Sequence, residues 1–363
     1  MIMSRVLHIK QVPGKPGEVY YPLQLREDPR PKPGNGEVLV QVSAAALNHR
    51  DLFIRQHLYP AISFDNPMLA DGYGTVVELG NNVAQPELLN KSVLLTPMRG
   101  WESDPDGPDG GRSYAVIGSS RITPAGTAQD YVVVSEKDVV VAPDHLSAVE
   151  GAALPLVGLT GWRALVTKTN AAASGKNILI TGIGGGVALQ TLQFGVAFGA
   201  NVFVTSGDPE KIEKAKQLGA KGGIIYKEPK WEASLRELLP KDRPFIDAII
   251  DGAGGDIVSK AVKLLKPGGV ISQYGMTVGP KMDWSMLGVL NNIELKGSTM
   301  GSTREFKDMV AFVSQHKIRP VISRSVKGLD NLEAIDGLFS EMKAGSQFGK
   351  LVIEINGTES SKL

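Results

Sequence analysis

The stretch TGIGGGVALQ, residues 181–190, places four glycines directly behind the apolar run KNILI, and it constrains the fold more than any other part of the chain. An apolar strand that gives way to a glycine-rich turn, and then to apolar residues at helical spacing, opens a parallel sheet with crossover helices. The alternation then continues: NVFVTSG reads as a strand, DPEKIEKAKQLGA as a polar-faced helix ending at Gly219, GIIY as a strand and WEASLRELL as a helix. IDAIIDGAGG, the helix DIVSKAVKLLKPGG and the strand VISQYG complete the series. Strand and helix in strict turn predict a doubly wound sheet covered on both faces, with its ligand at the carboxyl ends of the strands.

Glycine in such a turn lets the backbone bend sharply and approach a diphosphate, whose charge is met by amides at the helix N-terminus. Gly182, Gly184, Gly185 and Gly186 occupy the turn; a strict GxGxxG would need glycine at Val187, whereas a looser GxxGxxA fits Gly182, Gly185 and Ala188. Gly182, Gly185, Gly186 and Val187 are therefore the candidate diphosphate contacts. An acid at the tip of the next strand would bind the ribose hydroxyls of NAD and repel a 2′-phosphate. Thr205 and Ser206 stand there instead, no acid comes before Asp208, and Lys211 and Lys214 follow on the helix. Hydroxyl, glycine and lysine suit a phosphomonoester, so the expected cofactor is NADP(H), unless the lysines only solvate a helix face.

At 363 residues the chain exceeds what one core usually serves, and two domains are expected. Residues before 150 read as short strands broken by Pro and Gly turns (GEVLVQVSAAAL, GYGTVVELG, KSVLLTP, AQDYVVVSEKDVVVAP), a β-barrel-like pattern. The segment Pro97–Ala125 is rich in Gly, Pro and Asp and reads as a long functional loop. After Gly301 two helices and two strands follow without extending the alternation, and they are assigned back to the first domain. A formal net charge of +1 offers no field to collect nucleic acid or acidic lipid. Without cysteine there is no thiolate, disulfide or Cys-ligated zinc. No apolar stretch reaches the ~20 residues of a membrane span, and no secretion leader is expected at MIMSRVLHIK. Ser361, Lys362 and Leu363 spell SKL, the receptor-read peroxisomal signal, so the expected location is the peroxisome, besides the cytoplasm, with the import receptor as a partner.

The chain resembles the zinc-free, quinone-oxidoreductase-like branch of the medium-chain dehydrogenase/reductase superfamily. The resemblance rests on eight fragments in that family's order, among them GEVLVQVSAAALNHRDLFIRQHLYP, DGYGTVVELGNNV, ALPLVGLTGWRAL, ILITGIGGGVALQTLQFGVAFGA and LKPGGVISQYG. It implies an α/β fold in which a Rossmann-type doubly wound parallel sheet (155–303) is inserted in a β-rich GroES-like catalytic domain (1–154 and 304–363). Zinc-dependent members carry Cys where this chain has Asn48 and His where it has Ala70, and their third ligand falls in ALPLVGLTG, which offers neither. The expectation is no metal, with His49 a hydrogen-bonded structural residue.

Zinc-free relatives send hydride from NADPH to a quinone or to an alkene conjugated to a carbonyl, where developing oxyanion charge needs only hydrogen-bond donors. By resemblance Tyr59 and Asn48 are the candidate catalytic donors, Tyr59 giving either a hydrogen bond to oxygen or a proton to carbon. Thr160 would sit near the nicotinamide ribose and Met276 beside the ring. Met300 would wall the substrate cavity, and Trp101 would either cover the acceptor or anchor its loop. Tyr226 is implied near the adenosine 2′-phosphate and Lys350 at the pyrophosphate. Tyr73, where a small residue is more usual, departs from the pattern. The expected function is NADPH-dependent reduction of a quinone or an α,β-unsaturated carbonyl. An enoyl thioester reductase acting on a CoA-linked chain, and a non-catalytic NADPH-binding protein, remain the alternatives. MLGVLNNIELKGS is expected to supply an apolar edge strand for a homodimer.

Overall fold

The computed structural model describes residues 2–111, 114–279 and 281–355; the SKL tripeptide lies outside them. The chain divides into two compact units, Met1–Leu156 with Ser302–Leu363, and Val157–Gly301.

The first unit is built on a seven-stranded sheet ordered Ile322–Lys327, Lys350–Glu354, Glu37–Ala46, Asp71–Leu79, Ser92–Leu95 and Val139–Val141, with Tyr131–Ser135 pairing Glu37–Ala46 off this path. The C-terminal strand Lys350–Glu354 lies antiparallel to Glu37–Ala46, Val352 opposite Ala46, so the segment after Gly301 returns to this unit as a structural member. Tyr73 finds its space among small residues: it packs with Ala44, Ala46, Ala152 and Ala153, and a Cβ on Gly151 would stand 2.2 Å from its ring. Short helices His49–Arg55 and Ala148–Ala153 interrupt the β pattern. Within the long loop, Met98–Arg99 pairs Ala115–Val116.

The second unit holds a six-stranded sheet ordered Gly222–Ile225, Asn201–Ser206, Asn177–Ile180, Ile246–Asp251, Leu265–Gln273 and Glu294–Gly297, every neighbouring pair parallel. Asn177–Ile180 and Ile246–Asp251 are buried at every position, as a sheet covered on both faces requires. The order reverses at Asn177–Ile180, whose carboxyl end runs straight into the glycine turn. The buried Asp251 carboxylate accepts from Thr181 Oγ1, from the Gly254 N–H at 2.7 Å and from Gln273 Nε2 at 2.6 Å, tying three strand ends together beside that turn.

The structure departs from the sequence expectation at two segments. The helix DIVSKAVKLLKPGG stops at Leu264, and Leu265–Gln273 is already strand. Pro267 disfavours helical geometry at the residue before it, and Gly268 takes a φ of 70°. MLGVLNNIELKGS is not one strand: Met286–Leu290 is a helix turn, Asn292 takes a φ of 51°, and only Glu294–Gly297 pairs in the sheet. Among the described residues, no helix is long and apolar enough to cross a membrane.

Candidate functional site

In the second unit the glycine turn is built as an anion cradle. Gly182 and Gly184 take φ of 64° and 123°, values that L side chains rarely adopt. Gly185 is the N-cap of the helix Gly186–Ala197, and no side chain caps it. The first N–H groups of an α-helix have no acceptor within the helix, and an uncapped N-terminus presents them to an anion. The space in front is open: a Cβ on Gly182 would meet nothing within 4 Å, and one on Gly185 only the Gly182 carbonyl at 4.0 Å. These residues fit a dinucleotide's diphosphate, with Gly186 and Val187 giving the first amides of the helix.

Around the neighbouring strand tip, the residues expected at a 2′-phosphate come together. Ser206 is buried, and its Oγ accepts from the Asp208 N–H at 3.1 Å. Asp208 caps the next helix, its Oδ1 accepting from the Glu210 N–H at 2.9 Å. Lys211 reaches back over the turn, where a Cβ on Gly184 would lie 2.9 Å from its Cδ and 3.3 Å from its Nζ. Burial pulls its ammonium below the ordinary value, with Asp208 opposing and Lys214 adding to the effect, an environment that a bound anion would reverse. Tyr226 joins the tip through its N–H to the Ser206 carbonyl at 3.0 Å, and a Cβ on Gly207 would meet its hydroxyl at 2.9 Å. The same Cβ would meet Lys227 Cε at 2.9 Å, a cation that sequence reasoning missed. Its only signal was adjacency to Tyr226. Elsewhere in this unit Thr160 is buried and donates to the Met300 sulfur at 3.8 Å, and Met276 packs against Gly254.

In the first unit the chemistry gathers around Asn48. The Lys350 ammonium, buried at the start of the C-terminal strand, donates to the Leu47 carbonyl at 2.7 Å, Asn48 Oδ1 at 2.6 Å and Asp71 Oδ2 at 2.8 Å. Asn48 Nδ2 donates to the same Asp71 oxygen at 2.9 Å, and the other oxygen accepts from the Leu156 N–H at 2.8 Å. Lys350 was expected at the pyrophosphate; here its three hydrogens have three acceptors within the unit. The chain positions it by Gly349, whose φ of 118° brings a would-be Cβ within 2.4 Å of the Val321 carbonyl, so only glycine fits.

Asp51 completes the group, accepting from the Asn48 N–H at 2.8 Å and from Arg50 Nη1 at 3.2 Å. Burial pushes its carboxyl up to about 6, against the opposing pull of Arg50, the Asn48 N–H and Lys350. Arg50 is itself buried, donates to the Ile117 and Gly118 carbonyls at 2.9 and 3.0 Å, and lies 4.9 Å from the centre of the Tyr59 ring. Tyr59 is half-buried against the unit's core. Trp101 is 1% exposed, its Nε1 donates to the Asp104 carbonyl at 2.8 Å, and its own carbonyl accepts from the Thr303 N–H at 3.0 Å, the contacts of an anchored loop. Its bulk anchors the loop. Asp71, Asp51 and Arg50 were not singled out from sequence, because each stands beside a more conspicuous residue in LADGYG or ALNHRD.

A zinc ion of the kind the resembled dehydrogenases hold does not fit this donor set. Position 48 offers an amide, position 70 a methyl group, and an ammonium already sits 2.6 Å from Asn48 Oδ1 and 2.8 Å from Asp71, where it would repel a dication. His49 is exposed beside Phe53, and among the described residues no group of three His, Asp or Glu side chains could hold a metal.

The cradle can be tested without touching the fold. Aspartate is a favoured N-cap, so Gly185→Asp is expected to leave the unfolding temperature unchanged or raise it, while its carboxylate weakens NADPH binding by more than about tenfold. Fluorescence titration with NADPH beside a thermal melt checks both; unchanged affinity contradicts the cradle.

Comparison with known proteins identifies the family. The alcohol dehydrogenase GroES-like domain family matches residues 34–144, and the zinc-binding dehydrogenase family matches residues 186–315. The zinc-type alcohol dehydrogenase-like protein YogA of Leptosphaeria maculans is 56% identical over 360 residues, covering 97% of this chain and all (100%) of that protein. An acryloyl-coenzyme A reductase of Sulfurisphaera tokodaii is 27% identical over 91% of this chain and 96% of its own. The crystal structure of an NAD-dependent alcohol dehydrogenase superposes with a TM-score of 0.84 at 28% identity, covering 97% of this chain and 100% of that one. The chain belongs to the medium-chain dehydrogenase/reductase superfamily, as an oxidoreductase dependent on a nicotinamide dinucleotide.

Proposed function

We propose that the chain is a zinc-independent, NADPH-dependent oxidoreductase that reduces a quinone or an α,β-unsaturated carbonyl compound. The observation that carries this reading is the ammonium of Lys350 beside Asn48 and Asp71, where alcohol chemistry would require metal donors. Without a Lewis acid, an isolated alcohol or carbonyl oxygen loses its main electrostatic aid. A conjugated acceptor needs less, because its developing charge is delocalised and ends on an oxygen that hydrogen-bond donors can meet. When bound, the reduced nicotinamide supplies the hydride. The chain's own residues bind and orient: the uncapped helix at Gly185 meets the diphosphate, while Ser206, Lys211, Tyr226 and Lys227 suit a 2′-phosphate. Asn48 and Tyr59 are the donors offered to the acceptor.

A second reading, reduction of a CoA-linked enoyl thioester, is favoured by the similarity to the acryloyl-coenzyme A reductase. NADPH and NADH oxidation with menadione, a small enone and an enoyl-CoA separates the two. Turnover of quinone or enone with NADPH is expected, and Lys211→Glu should reduce the NADPH preference roughly tenfold to a hundredfold, the size of one charge-assisted hydrogen bond. Fastest turnover with the thioester supports the second reading. Zinc-stimulated oxidation of simple alcohols overturns the first.

We also propose that a second copy docks on the free edge strand Glu294–Gly297 and the helix Met286–Leu290 beside it. Trp284, Met286, Leu287 and Leu290 are exposed there, Met286 to 70% and Leu290 to 68%, and an apolar patch rimming an open sheet edge suits sheet continuation across a two-fold axis. Sedimentation is expected to give twice the chain mass, and Leu287→Lys with Leu290→Lys to give monomers. A monomeric wild type at micromolar concentration contradicts it.

A further inference from the structure

We infer that Lys350 is a positioning residue for acceptor reduction: with Asp71 it locks and polarises the amide of Asn48, leaving one amide hydrogen to donate to the acceptor's oxygen. The inference rests on the oxidoreductase reading above and adds a role to a residue that neither the diphosphate nor the substrate would reveal.

The geometry fixes the amide without ambiguity. An amide oxygen and nitrogen are interchangeable in shape, and their partners decide which is which. Here a donor-only ammonium lies 2.6 Å from one end, and a carboxylate lies 2.9 Å from the other, so Oδ1 faces Lys350 and Nδ2 faces Asp71. Lys350 and Asp71 are themselves joined at 2.8 Å, which closes a three-membered ring of charge-assisted bonds around a buried side chain. Drawing electron density toward Oδ1 makes the Nδ2 hydrogens stronger donors, since hydrogen bonds in series reinforce one another at low dielectric. One of the two hydrogens goes to Asp71, and the other remains to donate. The Lys350 ammonium has an acceptor for each of its own hydrogens, so it works through Asn48 and does not itself touch the substrate.

As the acceptor takes up a hydride from the reduced pyridine nucleotide, which is oxidised in turn, two electrons arrive at carbon and negative charge gathers on the conjugated oxygen. A preorganised donor at that oxygen lowers the barrier, and a proton from solvent or Tyr59 completes the reduction. A fixed ammonium one bond removed thus does, through an amide, part of what a metal would do directly.

The paired substitution Lys350→Met with Asp71→Asn separates positioning from simple bracing, because it removes both buried charges together and leaves neither unpaired. We expect cooperative unfolding close to wild type, NADPH affinity by fluorescence titration unchanged within about threefold, and kcat with menadione or an enone lowered about a hundredfold, as for loss of one oxyanion donor. Asn48→Ala, which spares the ion pair, is expected to lose as much. Added to the paired substitution it should cost little more, the signature of residues acting as one unit. A paired variant that keeps its kcat overturns the inference and leaves Lys350 a brace. Weakened NADPH binding with kcat retained overturns it in favour of a cofactor contact. A wild type that turns over no acceptor overturns the oxidoreductase reading and this inference with it, whereas wild-type turnover beside a fully active paired variant overturns the inference alone.

Discussion

The first unit is organised around one buried ion pair. Lys350 and Asp71 are almost completely shielded from water, and charges so placed are tolerated only with several good partners each. They have them: the ammonium holds three oxygens, and the carboxylate holds the Leu156 N–H and the Asn48 amide besides the ammonium. The partners come from four segments: the strand ending at Ala46 with the turn after it, the strand beginning at Asp71, the C-terminal strand, and the chain leaving the unit at Leu156. The same contacts set the chemistry. On the proposed reading, this side-chain cation stands where related dehydrogenases place a metal, and it makes Asn48 a fixed donor.

The second unit depends on the opposite device, the backbone donors of a helix N-terminus that its N-cap residue does not meet with a side chain. Asn177–Ile180 and Ile246–Asp251 are buried throughout and paired on both sides, and Asp251 holds three strand ends together, so the turn stands on a firm rim. On that rim the helix beginning at Gly186 is uncapped by any side chain and open in front. Rigidity with unmet hydrogen-bonding capacity is what an anion site requires, since the ordering is complete before the ligand arrives.

Much of this was legible in the sequence, for identifiable reasons. The strand–helix alternation and the glycine turn are local signals with strong periodicity, and they predict the sheet and its cradle. The tip at Thr205 and Ser206 was readable because acids are absent from it. Contacts between residues distant in sequence were not readable. Lys350 meets Asp71 across 279 positions, and no spacing rule connects them; resemblance alone placed the lysine at a diphosphate. Trp101 illustrates the same limit, since a tryptophan in a polar loop reads equally as a cover or an anchor until its partners at Asp104 and Thr303 are known. The apolar residues of Met286–Leu290 suggested a strand because a run of five residues carries too little periodicity to tell strand from helix.

On the proposed reading the resident cation beside Asn48 is the Lys350 ammonium. Zinc content and NADPH-dependent turnover, measured on the same chelator-dialysed preparation before and after zinc is added back, test it most directly. Full turnover without bound zinc, unaltered by the addition, is the predicted result. Stoichiometric zinc that tracks activity and is lost on substitution of Asn48 or Asp71 would contradict it.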